Sequence, residues 1–302
     1  MNRAVSIAFL AIFTLFASES RAFVARGDNI YIDGFTRSSY KYQQGANNDN
    51  HLSLDMSRVN LYKDIKLPEE DGYSYLNFSA VWLNSELEIV NANLNWSPFG
   101  FIDNITLGRF IPPFAREWSE KSVDQLNLPG GFSPIYDQLV YADDGVQVDF
   151  HKKRLYISLG SFLGERSGGV VREQKDGKLH SYAKVILALP ASVDLGGSYR
   201  YSRTRNNLWA VWAKWGYSGK NISFEAVGFG KDIQHFVNYG VKISSRYLAT
   251  VRYENLKYQK NRTTFGVRFY TRYVDVKIAS VLSGHLAGSP PRWVQAEVLF
   301  RF

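Results

Sequence analysis

The 302-residue chain contains no cysteine, only two methionines and nine prolines, and a single long hydrophobic run. The absence of cysteine excludes disulfide bonds and thiolate metal sites. A helical protein with several membrane spans is also excluded, because each span needs about 20 apolar residues. The hydrophobic content of 45% is too high for a disordered chain. The remaining composition, with 15% aromatic residues, favours β-structure.

The one hydrophobic run lies at the N-terminus and has the features of a secretory signal. A basic residue precedes the apolar residues 4–17, and the small residues Ser20 and Ala22 follow at the spacing of a cleavage site. The run is too short to cross a bilayer comfortably as an anchor helix. We therefore predict a signal peptide over residues 1–22 and an exported domain over residues 23–302.

Apolar and polar residues alternate with a period of two along the rest of the chain, in windows of about ten residues. In the last window Val294, Ala296 and Val298 fall on one face of a strand, and Gln295 and Glu297 fall on the other. These windows are longer than most strands of soluble sheets, and they match the length of tilted strands that cross a membrane. Aromatic residues cluster near the window ends, as in the interfacial girdles of membrane barrels. The pattern predicts an all-β fold, a transmembrane antiparallel β-barrel.

The windows predict about sixteen strands, an even number that places both chain termini on the same side of the membrane. Short connections fall in every second gap, and longer ones are predicted at 37–50, 112–138, 165–177 and 284–291. Fourteen strands result if the hairpin at 84–85 or the turn at 244–246 does not form. The predicted strands are 28–36, 51–62, 73–83, 86–97, 103–111, 139–150, 155–164, 178–189, 193–203, 208–217, 222–230, 237–244, 246–257, 263–271, 274–283 and 292–302.

The C-terminal pattern resembles that of Gram-negative outer-membrane barrels. Such proteins typically end in Phe with apolar residues at alternate positions, as Phe302, Phe300 and Val298 do here. The resemblance implies a location in the bacterial outer membrane, contact with its lipid, and recognition of Phe302 by the barrel-assembly machinery.

A second resemblance lies in Gly108-Arg109-Phe110-Ile111-Pro112-Pro113-Phe114 and in Asp144-Gly145-Val146-Gln147. Both segments are similar to those that flank the third outer loop of porins, especially in the phosphate-selective porin family. The resemblance implies that loop 112–138 folds into the lumen and narrows it. It also implies passive diffusion of small hydrophilic solutes or ions, no cofactor, and a homotrimer.

Charged residues of the predicted inner face and of loop 112–138 are the candidates for lining a pore. Bases modestly outnumber acids on this face, which favours a weak anion preference unless the charges pair with one another. Strict alternation would turn Arg109 toward lipid, so we expect a bulge there or a side chain that reaches the lumen or the rim. The candidate pore-lining and constriction residues are Arg109, Arg116, Glu117, Glu120, Lys121, Asp124, Arg200, Lys214, Arg252 and Arg268.

Two other functions fit a barrel. The first is an outer-membrane hydrolase, of phospholipase or protease type, whose rim site would use a histidine with a nearby Ser or Asp. Candidates are His51, His180, His235 and His285, which lie near predicted outer strand ends. The second is a plugged barrel with an adhesive or structural role. The five histidines have no metal-site spacing, and the basic residues do not cluster, so neither a metal site nor nucleic-acid binding is predicted.

Overall fold

The computed structural model describes residues 26–27, 30–44, 50–65, 73–83, 86–98, 101–116, 142–163, 179–202, 206–217, 219–255, 261–271, 274–283 and 292–301. The predicted signal peptide, most of loop 112–138, and Phe302 lie outside these residues. Within the described part of the chain, no helix is long and apolar enough to span a membrane.

In the described residues, seventeen strands form one antiparallel sheet. They are β1 (Arg26–Gly27), β2 (Ile30–Gln44), β3 (Asn50–Ile65), β4 (Tyr73–Leu83), β5 (Glu86–Ser97), β6 (Ile102–Phe110), β7 (Asp143–Lys152), β8 (Leu155–Phe162), β9 (His180–Leu189), β10 (Val193–Ser202), β11 (Leu208–Tyr217), β12 (Lys220–Phe229), β13 (Asp232–Lys242), β14 (Tyr247–Asn255), β15 (Arg262–Tyr270), β16 (Val274–Ser283) and β17 (Arg292–Arg301).

Strands β2 to β17 make a closed barrel of sixteen strands. Each of these strands pairs with its neighbours in sequence, and β17 pairs with β2, with Arg292 opposite Gln44 and Arg301 opposite Phe35. The short β1 pairs with the beginning of β2. Closure leaves no free edge among the sixteen, so every barrel strand has a hydrogen-bonded partner on both sides.

The predicted alternation between the two barrel faces is confirmed. Val185, Leu187 and Val211 are exposed on the outer face, with 43%, 39% and 47% of their surface accessible. Lys184, in the same strand as Val185, is buried on the inner face. The outer face therefore presents an apolar surface suited to lipid, while polar residues point into the barrel.

The prediction of sixteen strands is confirmed, and both doubtful hairpins form. Strands β4 and β5 pair up to the contact of Leu83 with Glu86, which flank the connection 84–85. Strands β13 and β14 pair up to the contact of Lys242 with Leu248, around the turn at 243–246. The alternative of fourteen strands is wrong.

Two predicted connections are wrong in length. Strand β2 continues to Gln44 rather than ending at residue 36, because β3 and β17 supply hydrogen-bonding partners along its polar second half. Strand β13 begins at Asp232, so a two-residue turn replaces the predicted connection at 231–236. This turn needs the positive φ of +58° at Gly230, which glycine adopts without strain. Long and short connections therefore do not alternate strictly around the barrel.

Two clusters of buried apolar side chains lie inside the barrel, where a soluble barrel would have its core. The larger one includes inward residues of β8, β9, β11 and β12, and the smaller one includes inward residues of β2, β4 and β17. The larger cluster consists of Phe110, Phe114, Ala115, Phe162, Tyr182, Leu208, Ala210, Trp212 and Val227. The smaller one consists of Phe35, Val81, Val90, Ala142 and Leu299.

Candidate functional site

The chain leaves the barrel wall directly after β6. Pro112 and Pro113 have no backbone N–H and cannot continue the ladder with β7. The N–H of Phe114 donates to the carbonyl oxygen of Pro112 at 2.8 Å, and Ala115 has a positive φ of 53°. These features turn residues 111–116 away from the wall, and we call them the inward segment.

The inward segment is hydrogen-bonded to the inner face of strands β9, β10 and β12. The N–H of Ala115 donates to Oγ of Ser198 at 2.9 Å, and Nζ of Lys184 donates to the Ala115 carbonyl oxygen at 3.2 Å. The N–H of Arg116 donates to Oε1 of Glu225 at 3.1 Å. Three strands on one side of the barrel thus hold two consecutive residues of the segment inside it. We call Lys184, Ser198 and Glu225 the latch.

Aromatic packing reinforces the latch. The ring of Phe114 contacts Tyr182 edge to face with 6.4 Å between centroids, and Phe162 contacts Tyr182 in the same way at 5.0 Å. Phe110, the last residue of β6, packs on Phe162 at 5.1 Å. Phe114 and Ala115 are fully buried. Burying such rings contributes roughly 1.5–3 kcal/mol each, so the inward segment is held by apolar contacts as well as by hydrogen bonds.

The inward segment also reaches the other side of the barrel interior. Ile111 packs against the smaller cluster, which includes Phe35 and Leu299 at the seam of β2 and β17. Ala142, just before β7, belongs to that cluster as well. The two ends of the connection between β6 and β7 are therefore anchored inside the barrel. Of its candidate charged residues, Arg116 is described, whereas Glu117, Glu120, Lys121 and Asp124 lie outside the described residues.

Arg109 lies near the end of β6, directly after a glycine with a positive φ, and its pairing with β5 and β7 continues without a bulge. Gly108 has a φ of +114°, and a Cβ atom there would lie 2.4 Å from the Ala92 carbonyl oxygen, so only glycine fits. Arg109 is buried, and its Nε donates to the Ile89 carbonyl oxygen at 2.6 Å. A guanidinium nitrogen lies 3.9 Å from Asp144 on β7. The Arg109 side chain therefore contacts both neighbouring strands, β5 and β7, near the connection between β6 and β7.

Two predicted pore-lining bases take part in ion pairs of the barrel wall. A guanidinium nitrogen of Arg252 lies 2.8 Å from Oε1 of Glu254, whose carboxylate also pairs with Arg262. Arg268 binds both oxygens of Asp275. Arg252 is only 1% exposed and stacks over Phe236 at 4.0 Å. The self-paired alternative therefore applies to Arg252 and Arg268.

The other two predicted wall residues lie nearer to the latch. Arg200, on β10, is fully buried and donates from a guanidinium nitrogen to the Asn206 carbonyl oxygen at 3.1 Å. Lys214, on β11, is partly exposed and lies directly opposite Asp194 and Ser223 in the neighbouring strands. The structure thus places the four predicted wall bases on the inner face, but in separate surroundings.

The latch was not predictable from the sequence. Lys184 and Glu225 are inward by alternation, but nothing in either strand says that a distant backbone will contact them. The detectable signal is the aromatic character of this inner face, because Phe162, Tyr182 and Trp212 occupy positions where a water-filled pore would carry polar residues. Such a stripe needs an apolar partner, which Phe114 supplies.

Two pairings of a histidine with a nearby Ser or Asp, His180 with Ser181 and His235 with Asp232, do not form in the structure. His180 is buried on the inner face and the adjacent Ser181 is exposed on the outer face, because neighbours in a strand point in opposite directions. Asp232 and His235 are three positions apart in β13 and also face opposite sides. The backbone of His51 is described but its side chain is not, and His285 lies outside the described residues. In the described residues, no group of three or more metal-binding side chains occurs.

Solved structures share the geometry of this barrel. A variant of the Rhodopseudomonas blastica porin superposes with a TM-score of 0.66 and 12% identity, covering 90% of this chain and 100% of that one. The fold is that of a porin. OmpT of Vibrio cholerae, expressed in the outer membrane, has a TM-score of 0.60 and 9% identity, covering 93% of this chain and 100% of that one. Neither family models nor curated protein sequences match this chain.

Proposed function

We propose that this protein is an outer-membrane porin, a passive diffusion channel for small hydrophilic solutes that is narrowed by the connection between β6 and β7. The observation that carries the proposal is the latch, which holds the inward segment inside a closed barrel through Ser198, Lys184 and Glu225. The apolar outer face suits a lipid environment, and the porin fold is in accord with this role.

Several finer features belong to the proposal. Cleavage after Ala22 would release a mature chain that begins at Phe23, and the assembly machinery would recognise Phe302. A homotrimer and the absence of a cofactor follow from the resemblance to porins. We place Arg109 at the root of the narrowing, and Arg116, Glu117, Glu120, Lys121 and Asp124 in it.

The proposed ion selectivity depends on a small excess of positive charge in the pore. Arg268 is paired with Asp275, and Arg252 shares the Glu254 carboxylate with Arg262, so these acids reduce the effect of both bases on permeating ions. A weak anion preference would then depend on bases near the narrowing. We expect Arg116→Glu with Lys121→Glu to shift the reversal potential in a salt gradient toward cation selectivity, because a narrow pore screens charge poorly. An unchanged reversal potential would place both residues away from the ion path.

The direct test is conductance of the purified, refolded mature protein in planar lipid bilayers. Discrete, ohmic current steps in potassium chloride are expected. A barrel that inserts, as judged by its heat-modifiable electrophoretic mobility, but conducts no current would contradict the proposal and favour a plugged barrel.

A further inference from the structure

The inner face of strands β3, β4, β6 and β8 is rich in amides and tyrosines. We call this surface the amide wall. These side chains face inward because they alternate with Val59, Leu61, Leu76 and Phe78, which are exposed on the outer face. They are partly exposed, whereas Arg200 and Arg252 are 0% and 1% exposed. The residues that define the wall are Asn60, Tyr62, Tyr75, Asn77, Asn104 and Tyr156.

The amide wall is continuous across neighbouring strands. Tyr62 lies directly opposite Asn77, and Tyr75 lies directly opposite Asn95 of β5. Nδ2 of Asn104 donates to Oδ1 of Asn95 at 3.3 Å, which joins β6 to the same surface. Tyr156 on β8 lies on the same inner face as Asp149 on the neighbouring strand β7. Polar groups therefore follow one another around this part of the lumen.

The charges within the amide wall do not favour anions. Asp33 accepts a hydrogen bond from Nδ2 of Asn60 at 2.5 Å, and Asp149 adds a second carboxylate. The guanidinium of Arg58 is engaged locally, since its Nε donates to Oδ1 of Asn60 at 2.7 Å. The wall thus carries two carboxylates against one guanidinium, a net negative charge that does not attract a phosphate or carboxylate solute.

We propose that the amide wall is a hydrogen-bonding path for neutral polyhydroxylated solutes such as sugars; the proposal rests on the channel function above. Each solute hydroxyl both donates and accepts, and an amide or phenol side chain offers the same two capacities. A solute that loses hydration water in a narrow pore can exchange those hydrogen bonds for bonds to the wall. The tyrosine rings add apolar surface for the C–H faces of a sugar ring.

The test compares two solutes of similar size that differ in charge, glucose and gluconate. Their uptake is measured by the swelling of vesicles that contain the full mature protein. The test variant is Tyr62→Phe/Tyr75→Phe/Asn77→Leu, which removes hydrogen-bonding groups from the amide wall. The matched control is Asn238→Leu/Thr250→Val, which changes inward polar residues of β13 and β14. Heat-modifiable mobility confirms that each variant has folded.

We expect the wild-type protein to pass glucose faster than gluconate. In the test variant the glucose rate should fall by about fivefold, as expected for the loss of one net hydrogen bond in the rate-limiting position, while potassium chloride conductance changes by less than about twofold. The control variant should keep the wild-type glucose rate. Faster gluconate than glucose, or an equal fall in both variants, would overturn this inference alone. A wild-type barrel with no conductance would overturn the channel function and this inference together.

Discussion

Adjacent residues of one strand lie in different surroundings, because successive side chains point to opposite faces of the sheet. Leu187 is exposed on the outer face, whereas Ala188 points into the barrel. We expect Leu187→Arg to lower the free energy of unfolding by about 2 kcal/mol, since lipid solvates a guanidinium poorly. Ala188→Arg should cost clearly less. Urea titration of both variants in lipid vesicles measures the difference, and the reverse order would mean that the strand register is shifted by one residue.

The latch gives a second prediction for a single side chain. Glu225→Gln keeps the size of the side chain but removes the negative charge of the carboxylate, whose Oε1 accepts the hydrogen bond from the Arg116 N–H. Hydrogen bonds to charged groups are about twice as strong as neutral ones, so the inward segment should be held less firmly. We expect larger fluctuations of open-channel current and a higher mean conductance in bilayer recordings.

The control for this experiment is Ser223→Ala, two residues away on the same inner face of β12. Ser223 accepts a hydrogen bond from Asn238 and has no described contact with the inward segment. Its recordings should match those of the wild type. Equal noise in Glu225→Gln and the wild type would mean that Glu225 does not position the segment.

The alternation of residues correctly predicted which barrel face each side chain is on, but not which residue it pairs with. Arg252 and Arg268 were expected on the inner face and lie there, yet their pairing with Glu254 and Asp275 was only one of two alternatives. The pairs depend on geometry between strands: Arg268 lies opposite Lys277, and its partner Asp275 is offset along β16. A period of two within one strand predicts which face each residue is on, but it does not predict which residue of the next strand lies beside it.

The connection between β6 and β7 is the element on which the proposed function depends. Its inward segment is anchored to the inner face of the barrel at Ala115 and Arg116. Shortening residues 117–131 should widen the lumen and raise single-channel conductance. The matched control shortens 164–175, a long connection between β8 and β9, and should leave conductance near the wild-type value. Unchanged conductance in the first variant would place the deleted residues outside the ion path.

Strand positions were predictable from sequence, and strand lengths were less so. The apolar residues of each alternating window mark the part of a strand that faces lipid, and these windows predict all sixteen barrel strands. The second half of β2, from Thr36 to Gln44, is polar on both faces and has no such belt. Its strand conformation comes from hydrogen bonds to β3 and β17, which no local pattern records.

Closure of the barrel requires the first and last barrel strands, β2 and β17, to pair with each other. With 9–12% identity to solved porin-fold structures, the chain keeps their architecture because a repeated period of two and closure of the sheet specify it. Few individual residues are needed to specify this architecture. The other barrel strands pair with their neighbours in sequence, whereas the seam joins strands more than 200 residues apart, β2 and β17.

The absence of cysteine allows a direct test of this seam. Ser38 and Val298 are directly opposite each other across β2 and β17, and opposite residues of an antiparallel pair have Cβ atoms about 4.5–5.5 Å apart. That separation is close enough for small backbone adjustments to permit a disulfide. We therefore expect Ser38→Cys/Val298→Cys to form an intramolecular disulfide on mild oxidation of the folded protein, detected as a change in the mobility of the denatured chain that a reductant reverses. Ser38→Cys/Glu297→Cys is the matched control, because Glu297 points to the opposite face and its thiol would remain reduced. Oxidation of the control pair in preference to the first would show a seam register shifted by one residue, and oxidation of neither would mean that the two strands do not pair and the barrel is open.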